Sequence, residues 1–402
     1  MENKMTEIST IMYNKAMSEN ITIDDAVKLL KECADFRTLS KKIEAYAKGR
    51  DVKKLLIDGL CENHPDAKPD SVSKKVRNWL NDNQGTLYKE DAIELCFILE
   101  LTLEESDKLI AMICDEALHW RNLDEIPYIF ALSKNMSYKQ AVQLHEKIKS
   151  CISEKESNAS TNEPFTSIVK NEIKNINDEE ELINYVLSTK NKLGALHNTA
   201  YTNFIEMIEA LENPETELFD DNDYYPSSEK YSINTIVQSY LHREEIEESD
   251  KPEDSEETKK RKSIQRRQQK SLYSDLQKVI VRNWPNEAVL SNMKNRKTDI
   301  TRKVIILLFF ATFDYEPFED DKIICEKPAN EIFKDFYDGM NNMLTSCGFK
   351  ELDPRSPFDW IILYCMCEHH SYNVEDEFYE IDKTLSEFLK SLFPREDIGN
   401  EF

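Results

Sequence analysis

Two stretches of this chain, Val76–Leu132 and about Leu290–Cys365, read as diverged copies of one segment, and this constrains the fold more than any single motif. Each holds a short apolar helix, Lys89-Glu90-Asp91-Ala92-Ile93-Glu94-Leu95-Cys96-Phe97-Ile98-Leu99 in one and Thr301-Arg302-Lys303-Val304-Ile305-Ile306-Leu307-Leu308-Phe309-Phe310-Ala311 in the other. At a constant offset Ile93 falls on Ile305, Leu95 on Leu307 and Phe97 on Phe309. Upstream, Val76–Asn81 lies over Leu290–Asn295, with two extra residues in the turn of the first copy. Downstream, Leu118–Glu125 lies over Leu352–Asp359. In both, a helix N-cap candidate (Asn122, Ser356) is followed three residues later by an acid (Glu125, Asp359). The cap oxygen accepts from an otherwise unpaired N–H, and the acid can bond back at the positive helix end. Pro357 suits the first helical position, where its missing N–H costs nothing. Arg121 and Arg355 stand just before each cap, placed to pair with an acid or to hold a phosphate. Coincidence between two apolar helices is the competing explanation, but the capping match and the Leu-x-x-Arg spacing do not depend on hydrophobicity. The long interval between copies excludes a solenoid and predicts two related helical domains.

Only 7 of 402 residues are glycine, Lys, Glu, Leu and Ile are abundant, and no alternating strand run is bounded by a hairpin turn. The expected class is therefore all-α. Length allows two or three domains. We expect an N-terminal helical domain over 1–152 with the first copy, a middle helical region over 153–257 with acidic linkers, and a C-terminal helical domain over 258–402 with the second copy. The nine cysteines include no Cys-x-x-Cys pair, and Cys96, Cys114 and Cys365 sit in apolar runs, a pattern of reduced thiols. No secretory signal is read at Met1-Glu2-Asn3-Lys4, and Val304–Phe313 is too short to span a bilayer. The expectation is a cytoplasmic protein with no membrane partner.

Along the chain, residues 1–20 are expected to fray. Thr22 and Asp25 form a capping pair for a helix beginning near Asp24, and further helices are predicted over about 39–47 and 52–61. Asn63–Asp70, with two prolines, is a loop. Then Ser71-Val72-Ser73-Lys74-Lys75-Val76-Arg77-Asn78-Trp79-Leu80-Asn81 resembles the base-reading helix of the Cro and lambda-repressor-like (XRE-type) helix-turn-helix family. Trp79 stands at that family's aromatic position, Asn83-Gln84-Gly85 at its turn, Ala92–Leu101 at its apolar helix and Thr102-Leu103-Glu104-Glu105 at the cap of its last helix. The likeness covers about Val52–Ile113, with the loop 62–70 in place of the family's short tight turn. It implies groove-facing roles for Ser71, Ser73, Lys74, Lys75, Arg77 and Asn78, the cations meeting phosphate or guanine and Asn78 suiting adenine. The alternative is a solvated amphipathic helix with Val72, Val76, Trp79 and Leu80 buried.

Ser137–Gln140 opens another helix as a capping box, and Glu154–Pro164 is a linker by composition. A helical core follows over Leu182–Leu211, with a kink or close helix contact at Gly194-Ala195 and a lone, structural His197. Asn213–Glu229 is an acidic loop lacking calcium-loop spacing. The charge then switches sharply. Glu244–Glu257 is acidic and reads as disordered. Over 259–303, fourteen Lys and Arg against Asp275, Glu287 and Asp299 leave +11 in a chain of −25. Three meanings are open: a phosphate-binding surface with salt-sensitive affinity, a face docked on the chain's own acidic segment 244–257, or an ordinary solvated helix face. The stretch overlaps the recognition-helix position of the second copy. Its candidates for phosphate contact are Arg266, Arg267, Lys294, Arg296, Lys297 and Arg302.

The chain has no glycine-rich phosphate loop, no GxSxG and no HExxH. Cys365-Met366-Cys367-Glu368-His369-His370 lacks zinc spacing, since Cys-x-Cys on a helix points the sulfurs apart. No catalytic residue, metal or cofactor is expected. The reading is a nucleic-acid-associated, DNA-binding regulator rather than an enzyme. The alternative is an all-helical scaffold whose helix-turn-helix pattern serves a protein partner. Global acidity opposes DNA binding by the whole surface and leaves a local basic face.

Overall fold

The computed structural model describes residues 7–17, 21–32, 36, 38–81, 87–114, 117–151, 166–190, 193–194, 196–213, 231–248, 250, 254–313, 329–368 and 381–394. The protein is all-helical, 73% helix with no strand among these residues. In chain order the helices are α1 Glu7–Ala16, α2 Ile23–Glu32, α3 Leu39–Tyr46, α4 Val52–Asn63, α5 Pro69–Trp79, α6 Lys89–Ile98 and α7 Leu103–Cys114. Then come α8 Ile126–Ser133, α9 Tyr138–Cys151, α10 Thr166–Asn175, α11 Glu179–Thr189, α12 Asn198–Glu212 and α13 Ile233–Thr235, which runs into a π-helical turn Ile236–Tyr240. The rest are α14 Arg243–Ile246, α15 Glu256–Leu272, α16 Asp275–Val281, α17 Glu287–Lys294, α18 Arg302–Thr312, α19 Ala329–Ser346, α20 Pro357–Glu368 and α21 Ile381–Leu392. No helix among the described residues is long and apolar enough to cross a membrane.

The chain divides into two compact units whose boundaries differ from those expected above. The first comprises Arg37–Asn198 with Ser346–Lys350; the second comprises Met1–Phe36, Thr199–Thr345 and Glu351–Phe402. The anticipated middle region forms no unit of its own. Its Leu182–Leu211 core is two helices, α11 and α12, and the unit boundary falls after the first residue of α12. The expected linker 154–164, the acidic loop Asn213–Glu229 beyond its first residue and the turn Asn83-Gln84-Gly85 lie outside the described residues, as do His369 and His370.

In the first unit α6 is the central element. Ala92, Ile93, Glu94, Leu95, Cys96 and Ile98 are all buried, because α4, α7 and α9 pack around it. A helix apolar on nearly every face is stable only when so enclosed. Gly59 permits the approach of α4, since a Cβ there would sit 2.7 Å from Ile98 Cγ2. Residues 346–350 join this unit through aromatic packing, Phe349 lying 5.5 Å from His197 and His197 4.0 Å from His119.

In the second unit the enclosed helix is α20, with Trp360 through Met366 all essentially inaccessible between α1, α16 and α21. Of residues 1–20, expected to fray, the described residues 7–17 are ordered: α1 buries Met12 and Ala16. The Trp360 indole N–H donates to the Met12 carbonyl at 3.0 Å, and the Tyr364 hydroxyl donates to the Ile21 carbonyl at 2.8 Å. The helix is short and mostly polar, so its order comes from this docking, a tertiary effect that local pattern does not reveal.

Each unit contains the same buried turn ahead of an apolar helix. In the first, Glu125 accepts from the His119 N–H at 2.8 Å, the Asn122 N–H bonds the His119 carbonyl, and the Leu118 N–H donates to Asp107 at 2.9 Å. In the second, Asp359 accepts from the Asp353 N–H at 2.8 Å, the Ser356 N–H bonds the Asp353 carbonyl, and the Leu352 N–H donates to Asn341 at 2.8 Å. One constant offset relates every pair. Both acids thus reach back six residues, and Glu125 also accepts from the side-chain amide of its cap, Asn122, at 3.1 Å. A cation from another helix completes each turn: Lys89 at the start of α6 bonds Glu125 at 2.9 Å, and Arg302 at the start of α18 grips Asp359 with two bonds of 2.9 and 2.7 Å.

Candidate nucleic-acid interface

Helix α5 forms because Pro69 starts it and Val72, Val76 and Trp79 recur at helical spacing. All three are buried, while Ser71, Lys74, Arg77 and Asn78 are exposed. This is the amphipathic arrangement weighed in the sequence, with Leu80 only half-buried, and it leaves four of the six α5 candidates on the surface, Ser73 and Lys75 being half-buried. Lys75 is engaged: its ammonium pairs with Asp91 at 2.7 Å and lies 4.9 Å over the Trp79 ring.

Helix α17 starts at Asn286, whose side chain accepts from the Val289 N–H at 2.9 Å, and buries Leu290 and Met293. It ends with Arg296 in the left-handed region at φ 54°. The Arg296 and Lys297 N–H groups bond back to Met293 and Asn292, a Schellman closure that ordinarily takes glycine. The Arg296 guanidinium stacks 4.4 Å over Tyr201, and Lys294 pairs with Glu212. Lys297 is exposed and makes no ion pair among the described residues.

Arg302, expected to meet phosphate, is instead buried. It is 4% exposed and its partner Asp359 is 1% exposed, so its guanidinium is part of the core and does not face a phosphate. It also donates to the Glu351 carbonyl at 3.0 Å. Neighbouring Lys303 is likewise turned inward, onto the carbonyls of Ile280 and Arg282 at the end of α16.

The basic helix α15 has two faces. Lys260, Arg261 and Arg267 are exposed, make no ion pair among the described residues, and flank exposed Ile264 and Leu272. The other face meets the acidic segment expected to be disordered. Lys262 is buried between Asp254 at 2.7 Å and Glu248 at 3.2 Å. Arg266 makes two bonds to Asp250, 2.9 and 3.3 Å, and a third to the Glu248 carbonyl at 3.0 Å. Glu247 gathers Arg243, Arg266 and Lys270 at 2.9, 3.6 and 2.8 Å. The Tyr273 hydroxyl donates to the Ile246 carbonyl at 2.9 Å, fixing the backbone of the acidic segment there. Bonding to Asp250 holds the Arg266 guanidinium above its ordinary range, and Asp254 does the same for Lys262.

Sequence reading missed which cations have partners. The acids Asp91 and Glu212 are distant or on other elements, whereas pairing with Glu247, Asp250 and Asp254 matches one of the three meanings left open for the basic stretch, docking on segment 244–257. Cys96 is buried and its thiol is pushed up to about 12 by that burial, so it stays protonated at neutral pH. Among the described residues no cluster of His, Cys, Asp or Glu is arranged to hold a metal. No family model, curated protein or solved structure matches this chain.

Proposed function

We propose that this protein is a nucleic-acid-associated regulator built from two related helix-turn-helix-like modules. It meets the phosphates of duplex DNA with the cations left at its surface. On α5 these are Lys74 and Arg77, with Asn78 positioned for a base edge; on α15 they are Lys260, Arg261 and Arg267; after α17 it is Lys297. The observation that carries the reading is the division of α5 into a buried apolar face and an exposed Lys74-Arg77-Asn78 face. Support for relating the modules comes from the matched buried turns, whose hydrogen bonds recur at one offset although His119 aligns with Asp353 and Asp107 with Asn341. The test is binding of a short labelled duplex at low salt by the wild type and by variants with these cations changed to Ala. Loss in the α5 or α15 variant supports the reading, and absence of wild-type binding refutes it.

A second reading has its own observation. Lys75, Arg266, Lys294, Arg296 and Arg302 already have partners within the protein. Such internal neutralisation suits an interaction scaffold in a chain of net charge −25. That reading predicts a protein partner that remains bound after nuclease treatment, at a surface insensitive to the α5 and α15 substitutions.

A further inference from the structure

Lys262, Arg266 and Lys270 stand four residues apart on α15, and so form a stripe that rises about 6 Å and winds about 40° around the helix axis at each step. Three successive cations so spaced fit a row of anions. In this structure the row is supplied by Asp254, Glu248, Asp250 and Glu247 of the preceding segment. We infer that this stripe is a polyanion-binding surface occupied by the chain's own carboxylates, and that nucleic-acid phosphate competes with them for it. The inference rests on the nucleic-acid reading above and adds its regulation: the acidic segment is an internal competitor that sets the affinity of α15.

The geometry separates this from incidental surface pairing. Isolated exposed ion pairs contribute little and need no shared site. Here Lys262 is enclosed, Arg266 is held by two carboxylate bonds and a carbonyl, and one carboxylate, Glu247, is shared by Arg243, Arg266 and Lys270. The segment's backbone is fixed as well, by Tyr273 on Ile246 and by Arg266 on Glu248. Lys260, Arg261 and Arg267, on the other face of the same helix, remain exposed and add to the positive charge that draws a polyanion to α15. Phosphate and carboxylate both accept paired guanidinium bonds, so each can replace the other on Arg266.

The experiment uses the full chain and a short labelled duplex titrated at several salt concentrations. The arm variant carries Glu247→Gln, Glu248→Gln, Asp250→Asn and Asp254→Asn. A control of equal charge change carries Glu32→Gln, Glu180→Gln, Glu206→Gln and Glu209→Gln, at exposed sites with no ion pair among the described residues. The arm variant should bind at least about tenfold tighter than the control, with a salt slope steeper by roughly 0.9 for each stripe cation released. Asp250→Asn alone, at an exposed position, should give part of the gain if the fourfold variant does not fold. Equal affinities of arm variant, single variant and control would overturn the inference while leaving the nucleic-acid reading in place. Failure of wild type, control and arm variants alike to bind duplex would remove both.

Discussion

Arg302 and Arg267 carry the same formal charge, and their surroundings assign them opposite roles. Arg267 is exposed to solvent on α15, whereas Arg302 lies in the core against Asp359. Sequence reading treats them alike, because a charge count contains no information about burial. Breaking a buried pair leaves the remaining ion without compensation, at a cost of about 3–5 kcal/mol. Arg302→Met should therefore destabilise the second unit by that order, seen in urea unfolding followed through its tryptophans Trp284 and Trp360. Unchanged stability would contradict the assignment. His242 offers a pH-dependent counterpart. It is buried in the left-handed region at φ 51°, and burial, helped by the nearby Lys390 ammonium, holds its imidazole down at about 4. The unfolded chain, titrating near 6.5, takes up the proton first, so stability falls as pH drops from about 6.5 to 4 and this contribution then levels off. The shift corresponds to about 3 kcal/mol. His242→Asn, tolerated at that backbone angle, should lose correspondingly less stability over that interval than wild type. Parallel pH profiles would contradict this.

At the scale of elements, what was legible followed from local chemistry. The Thr22–Asp25 pair, the Ser137–Gln140 box and the Thr102–Glu105 cap all form as read. The apolar periodicity of α5 places Val72, Val76 and Trp79 inside. What was not legible depends on partners far along the chain. Helix α1 is the clearest case, since residues 1–20 read as polar while Met12 is wholly buried and its carbonyl receives the Trp360 indole. The acidic stretch before α15 is another, since low hydrophobicity suggested disorder and ion pairing holds its described residues in place. Truncating a buried Met costs about 2–5 kcal/mol. Met12→Ala should thus lower the stability of the second unit, reported by Trp360, and leave the Trp79 and Trp120 signals of the first unit unchanged. An identical unfolding midpoint for the second unit would contradict the docking of α1.

For the whole molecule, the sequence favoured three successive blocks, and the structure divides into two units with α1 and α21 both in the second. A segment's allegiance is decided by the apolar surface it covers, and that surface is hundreds of residues away in sequence for α1 and α2. Net charge is similarly indirect. The value of −25 describes the sum, while the +11 stretch is partly neutralised within the fold and partly exposed on α15. The proposed interface is thus smaller than the sequence suggested and confined to named side chains. The direct measurement is the affinity of the full chain for duplex DNA as a function of salt, for wild type and for Lys260→Ala/Arg261→Ala/Arg267→Ala. Binding that weakens steeply with salt, with a slope reduced by roughly 0.9 per phosphate contact removed in the triple variant, is the predicted result. No binding at low salt, or a slope unchanged by the three substitutions, would contradict it.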